Sequence, residues 1–195
     1  MNKKTGFFFG SFNPLHDGHL YLIREALKRV ETLDIYIGNK KRLTRMPWEI
    51  RQKSMLQALE HEDLSDRVTI LNESTLFQEI SIGSYKLAVV GSDIANLISS
   101  GNSKIEPDET AHIFRADSYL ILDRHDHPID STSLNILSKK ANVEIVQSTY
   151  KLSASGIKKA YVRGENIQSM VPYYIWPIIK DNIHVFKNLP LFQEP

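Results

Sequence analysis

Residues Gly10 to His19 read "GSFNPLHDGH", directly after the apolar run "GFFF" that spans Gly6 to Phe9. The run reads as a buried strand stopped by Gly10. Beyond it, "GHLYLIREALKRV" puts Leu20, Ile23, Leu27 and Val30 on one helical face and leaves Lys28 and Arg29 outside. The stretch is therefore the turn of a strand–loop–helix unit. Gly10 permits a sharp turn and a close approach to the backbone, Pro14 stiffens the loop, and Gly18 leaves room at the start of the helix that His19 begins. Backbone N–H groups at such a helix start point outward and favour an anion, typically a phosphate. His16 lies one turn before His19, so a backbone curling into the helix turns both imidazoles toward one pocket. The helix dipole lowers the pKa of His19 there, and a bound polyphosphate raises it.

The same alternation continues along the chain. "LDIYIG" (Leu33 to Gly38), "RVTIL", "KLAVVG" (Lys86 to Gly91), "SYLILDR" and "VEIVQ" read as strands. Between them lie a basic loop, "NKKRLTR", a helix opened by Pro47 over "WEIRQKSMLQALE", and a helix over "STSLNILSKKA". From Ser99 to Asp117 the sequence is polar and reads as irregular with one short helix. The last part reads as helical, "SASGIKKAYVRG" and then "VPYYIWPIIKDNIHVF", with Pro172 near a start and Pro177 bending it. Continuously apolar strands alternating with helices predict an α/β fold, a parallel sheet covered on both faces. Ligands of such folds sit outside the carboxyl ends of the strands. Gly10–His19, Asn39–Arg45, Gly91–Asp93 and Asp123–Arg124 all follow strands and converge on one sheet edge.

The bulk numbers narrow the classes. At 195 residues the expectation is one domain, 1–195. With 42% hydrophobic and 24% charged residues and a formal net charge of +1, the chain lacks the broad basic surface of a nucleic-acid binder. It contains no cysteine, which excludes disulfides, thiolate metal sites and cysteine nucleophiles. No apolar run approaches the ~18 residues of a membrane span, and the N-terminal aromatic run is too short for a signal peptide. A cytoplasmic protein without membrane or nucleic-acid partners is the expectation; a homo-oligomer stays open.

Taken alone, the histidines admit rival readings. The loop serves as a plain turn with surface histidines, or the pair ligates a metal, although no third ligand stands nearby. The phosphate loops G-x-x-x-x-G-K-[ST] and G-x-G-x-x-G are absent. The stretch also resembles the G-x-F-[DN]-P-x-H-x-G-H signature of the nucleotidyltransferase superfamily, whose members include nicotinate and nicotinamide mononucleotide adenylyltransferases, pantetheine-phosphate adenylyltransferase and small cytidylyltransferases. A second segment, "LSASGIKKA" from Leu152 to Ala160, resembles that group's I-S-[ST]-[ST]-x-I-[RK] helix start, with Lys158 where many relatives carry arginine. Looser likenesses are "VVGSD", "LILDR" and the closing "VPYYI", the last resembling the mononucleotide adenylyltransferases.

The resemblance implies a Rossmann-like doubly wound parallel sheet with helices on both faces. It implies in-line attack of an acceptor phosphate on the α-phosphorus of ATP, with pyrophosphate leaving. His16, His19 and Lys158 would then be catalytic, with Gly10, Ser11, Phe12, Asn13, Gly18, Gly91, Asp93, Arg124, Ser153 and Ser155 around the ATP. Mg²⁺ is expected on the phosphates, held largely through water and by no protein metal site. Lys40, Lys41, Trp48 and Arg51 are the acceptor candidates, the lysines in the basic loop with Arg42 and Arg45, Trp48 by stacking and Arg51 by pairing with phosphate. The tryptophan that shapes the ring site of nicotinate-type relatives has no counterpart between Asp93 and Arg124, and "GSYK" (Gly83 to Lys86) stands where they carry serine-tyrosine-threonine. A pyridine mononucleotide is the first choice of acceptor and pantetheine phosphate the second. A cytidylyl donor is third, because "QSTYKLSAS" replaces the R-T-x-G-[IV]-S-[ST]-[ST] run of those enzymes. A nucleotide-binding module without catalysis is the remaining alternative.

Overall fold

A computed structural model describes residues 4–38, 42–72, 85–100, 116–124, 127–147 and 152–188. Six strands, β1 (Thr5–Gly10), β2 (Thr32–Ile37), β3 (Val68–Ile70), β4 (Leu87–Gly91), β5 (Ser118–Asp123) and β6 (Asn142–Gln147), form one sheet in the order β3-β2-β1-β4-β5-β6. Every neighbouring pair is parallel. The helices are α1 (Asp17–Leu27), α2 (Trp48–His61), α3 (Ser92–Ser100), α4 (Ser131–Ser138), α5 (Ala154–Val162) and the short α6 (Trp176–Ile179). The chain runs outward from β1 to β3 and then returns to place β4 on the other side of β1. The carboxyl ends of β1 and β4 therefore flank the point where strand order reverses, the place such sheets reserve for ligands.

Strand parity explains why the apolar runs are continuous. Phe8, Ile35, Ile37, Val89, Leu120 and Leu122 enter one core, with Leu20 and Ile23 of α1, Met55 of α2 and Ile157 of α5. Phe7, Tyr36, Ala88, Val90, Tyr119 and Ile121 enter a second core on the opposite face, with Ala95 of α3 and Leu137 of α4. In the central strands β1, β4 and β5 a side chain pointing either way from the sheet meets a core, so their middles are uninterrupted apolar runs, whereas the edge strand β6 alternates exposed Asn142 and Glu144 with half-buried Val143 and Ile145. At about 1.5–3 kcal/mol for each large apolar side chain fully buried, two covered faces are what make the central strands stable. Among the described residues no helix is long and apolar enough to cross a membrane.

Three local expectations are corrected. Helix α1 starts at Asp17 with His16 as its N-cap, two residues before the predicted start at His19. The stretch after β4 forms α3, a helix whose Ile94, Ala95 and Leu97 recur at helical spacing; the reading above passed over it. The closing stretch is no continuous helix. It is a 3-10 turn at Tyr173–Ile175, then α6, then a 3-10 segment at Ile183–Asn188. Pro177 sits in the first turn of α6, where its missing N–H removes no helical bond, so it opens a helix and does not bend one. Most of the polar stretch, residues 101–115, lies outside the described residues.

Candidate active site

The β1–α1 loop turns back on itself. A Cβ at Gly10 would stand 2.8 Å from the Phe12 ring, so only glycine lets that ring fold under the strand end. Phe12 has φ +46°, a left-handed conformation that disfavours an aromatic residue, and its burial at 1% exposure offsets the strain. Asn13 ties this loop to the next one. Its Nδ2 donates to the Thr44 carbonyl at 3.0 Å and its Oδ1 accepts from the Met46 N–H at 3.1 Å. The Asn13–Pro14 peptide is cis.

The two histidines cap the start of α1, His16 from just before it and His19 from its first turn. Nδ1 of His16 accepts the N–H of Gly18 at 3.2 Å, and Nδ1 of His19 accepts the N–H of His16 at 3.3 Å. The rings lie 3.8 Å apart between centroids, and the Phe12 ring meets that of His19 edge-on at 5.0 Å. An Nδ1 that accepts a backbone N–H carries no proton, so the neutral ring holds its proton on Nε2. Burial, then the neighbouring His16, then Arg124 hold the pKa of His19 well below the ordinary histidine value. Burial is thus the leading cause of the lowering that the sequence attributed to the helix dipole. The pair presents as neutral imidazoles with Nε2–H donors.

Both rings line a cavity of about 420 Å³ at the carboxyl ends of the strands. Gly10, Ser11 and Gly18 line it from the β1–α1 side, and Ser155 and Lys158 from α5. Ser153 is the N-cap of α5, its Oγ accepting the Gly156 N–H at 3.0 Å; its hydroxyl oxygen holds the helix start and does not line the cavity. Lys158 has no carboxylate partner among the described residues, and burial followed by the charges of Arg45 and Arg42 lowers its pKa. The pKa of Arg45 is lowered in turn by burial and by Arg42. The three cations Arg42, Arg45 and Lys158 facing one space repel one another, and together with the two N–H-bearing imidazoles they are satisfied by an anion of several charges.

The other wall is built by β4, α3 and β5. Gly91 and Asp93 line the cavity with Arg124, whose Nη1 pairs with Asp93 Oδ2 at 3.2 Å. Buried Ser92 locks the two strand ends together by donating to the His127 carbonyl and accepting the Arg124 N–H. Phe9 and Tyr36, register partners on β1 and β2, stack at 5.8 Å and form an apolar wall with Ile94 and Leu97. The sequence reading missed this wall. Its signal was parity, since both aromatics are the last residues of their strands on the α3 face.

Phe12 and Asn13 shape the loop from beneath and do not line the cavity. The acceptor candidates fare differently from the rest. Trp48 is buried and donates Nε1–H to the Ile37 carbonyl at 3.1 Å, and Arg51 is buried on backbone carbonyls. Neither lines the cavity, which corrects the stacking and phosphate-pairing roles expected of them. Lys40 and Lys41 lie outside the described residues, as do Gly83 and Ser84 of "GSYK". Tyr85 of that segment is buried and donates to Asp34 at 2.6 Å. Among the described residues no three histidine, aspartate or glutamate side chains gather to hold a metal, so the two histidines form no metal centre with them.

The sequence model of the cytidylyltransferase-like family matches residues 7–160. The chain belongs to the cytidylyltransferase-like family. Its fold is that of a Plasmodium falciparum nicotinic acid mononucleotide adenylyltransferase solved with APC, at 18% identity and TM-score 0.67, over 94% of this chain and 98% of that one. The same plasmodial protein solved with NaAD aligns at TM-score 0.68 and 17% identity, over the same shares. Among curated relatives, the phosphopantetheine adenylyltransferase of Streptococcus gordonii is 34% identical over 76 residues, 37% of this chain and 45% of that one. The trifunctional NAD biosynthesis/regulator protein NadR of Salmonella typhimurium is 50% identical over 36 residues, 18% of this chain and 9% of that protein. The match thus spans less than half the length of either relative.

Proposed function

We propose that this chain transfers the adenylyl group of ATP to a phosphate-bearing acceptor, nicotinate or nicotinamide mononucleotide in the first instance, and releases pyrophosphate. The observation that carries this reading is the facing of two Nε2–H imidazoles and Lys158 across one cavity, the lysine having no carboxylate partner among the described residues. An oxygen of the acceptor phosphate forms the new bond to the α-phosphorus; the bond to the bridging oxygen breaks, and its electron pair leaves with pyrophosphate. A phosphate nucleophile is anionic near neutral pH, so the step needs no strong base. A neutral His19 with a lowered pKa suits that chemistry, since it donates a hydrogen bond and takes no proton. His16 and His19 hold the α-phosphate oxygens, while Lys158, Ser155 and Arg45 take the charge that grows on the leaving group. Asp93, Arg124 and Gly91 flank the nucleoside, and the Mg²⁺ arrives with the nucleotide as part of the substrate.

The likeness to a nicotinic acid mononucleotide adenylyltransferase over nearly the whole chain supports a pyridine mononucleotide as acceptor. The 34% identity to a phosphopantetheine enzyme supports the second reading, pantetheine phosphate. The test is pyrophosphate release from MgATP with each acceptor supplied separately, and from CTP as a control. Release with one mononucleotide fixes the acceptor, and release with phosphopantetheine alone replaces it. ATP binding with no release under any acceptor would refute the transferase in favour of a binding module. His19→Ala is expected to abolish measurable turnover and stay folded; wild-type turnover in that variant would remove His19 from the mechanism.

A further inference from the structure

A single guanidinium closes the loop that carries two of the cavity's arginines, Arg42 and Arg45. Arg51, in the first turn of α2, is 2% exposed. Its Nε donates to the Met46 carbonyl at 3.0 Å, and its Nη1 donates to the carbonyls of Ser11 at 2.9 Å and Gly38 at 3.0 Å. Gly38 and Met46 are the two ends of the loop between β2 and α2, and Ser11 belongs to the loop after β1. One planar fork thus joins both loops that bound the cavity on this side. Gly38 is itself a junction, because its N–H donates to the Gly10 carbonyl at 2.9 Å and its carbonyl also accepts from Nη1 of Arg45 at 3.4 Å.

Arg45 faces Lys158, a like charge, and repulsion favours swinging its long side chain away toward water. Holding it at the cavity requires a fixed backbone beneath it. We infer that Arg51 is a positioning residue of the anion site: by fixing the Gly38 and Met46 carbonyls it sets Arg45 so that Arg45 and Lys158 close on one phosphate group from opposite walls. Arg51 itself touches no substrate. Lysine in its place keeps the charge but lacks the planar fork that reaches three carbonyls, so the effect is one of geometry. The inference rests on the reading that the cavity takes the phosphates of a nucleotide.

A double-mutant cycle read by MgATP calorimetry tests it, using wild type, Arg51→Lys, Arg45→Gln and the double variant, each melted to confirm folding. Arg51→Lys is expected to weaken MgATP about tenfold when Arg45 is present and less than about twofold when it is absent. Its effect on melting temperature is expected to be the same in both backgrounds, which a purely structural residue would show in binding as well. Should Arg51→Lys fail to fold, Arg51→Gln takes its place in the cycle. Equal losses of affinity in both backgrounds would overturn the inference while leaving the proposed function standing. A wild-type chain that binds no MgATP would overturn the reading of the cavity and this inference with it.

Discussion

Replacing Lys158 by methionine separates what the cavity costs the fold from what it gives the reaction. Lys158 lies in α5, and a methionine fills much of the volume of its aliphatic stem; what disappears is a half-buried charge facing Arg45 and Arg42. With no carboxylate partner among the described residues to lose, the variant is relieved of desolvation and like-charge repulsion. A gain of about 1 kcal/mol is the usual size of such a relief, and for a chain of this length it raises the melting temperature by about 2–4 °C. The pH dependence carries a definite sign. The folded pKa of Lys158 lies below its ordinary value of 10.5, so between the two the unfolded chain binds more protons. Wild-type stability therefore gains from this group as pH rises through that window toward 10.5, and the methionine variant loses that gain. Catalysis moves the opposite way. Removing one charged donor from the leaving group costs about 3 kcal/mol of barrier, a loss of about a hundredfold in kcat. Thermal melts of the ligand-free proteins from pH 7 to 10.5, beside pyrophosphate-release kinetics, read both effects. A Lys158→Met variant that melts lower than wild type, or that turns over at the wild-type rate, would refute the argument that an unneutralised cation is held here for an anion.

Two more perturbations probe other walls. His19 is expected to stay neutral as pH falls through 6.5, so its NMR resonances should remain unmoved between pH 8 and 6; a midpoint at or above 6.5 would end the neutral-donor argument. The unfolded chain does protonate there, so the stability that His19 contributes is lost as pH drops below 6.5, and His19→Gln is expected to flatten that part of the stability profile. In Gly91→Ala the new Cβ would stand 2.6 Å from Asp93 Oδ1, forcing that side chain to rotate off Arg124. The pair is half-exposed and worth about 1 kcal/mol or less, so melting should change little while KM for ATP rises severalfold; an unchanged KM would show that Asp93 and Arg124 do not flank the nucleotide.

The sheet was readable because the apolar runs of the central strands β1, β4 and β5 feed two cores, which leaves no polar alternation in their middles to confuse with an exposed strand. The histidine loop was readable because glycine and proline punctuate it between a strand and a helix. What sequence could not resolve was the destination of a cation. Arg51 and Lys158 are both basic residues near the start of a helix, yet one is buried on three carbonyls and the other faces the cavity. That difference depends on where two loops distant in sequence come together, and no local pattern records it. Trp48 misled for the same reason, its indole N–H being taken by a strand carbonyl. The broken closing segment was half legible, since its prolines mark where helices start but not how short each one stays.

Local choices that weaken the fold gather in one place. Serine, threonine, aspartate or asparagine caps a helix better than an imidazole does, yet α1 is capped by His16. Glycine suits a left-handed φ better than phenylalanine, yet Phe12 occupies it with its ring beneath Gly10 and against His19. Lysine beside two arginines is a worse neighbour than a carboxylate, yet Lys158 sits there. Two other helices follow the ordinary preference, with Asp130 capping α4 and Ser153 capping α5. Each exception serves the same cavity: the cap sets the ring of His16 in its wall, the phenylalanine packs against the ring of His19, and the crowded lysine supplies a charge with no carboxylate partner among the described residues. Locally unfavourable choices persist where a function requires them and the surrounding structure holds them. Their convergence on one 420 Å³ space argues, independently of any likeness to other proteins, that this cavity is where the chain does its chemistry.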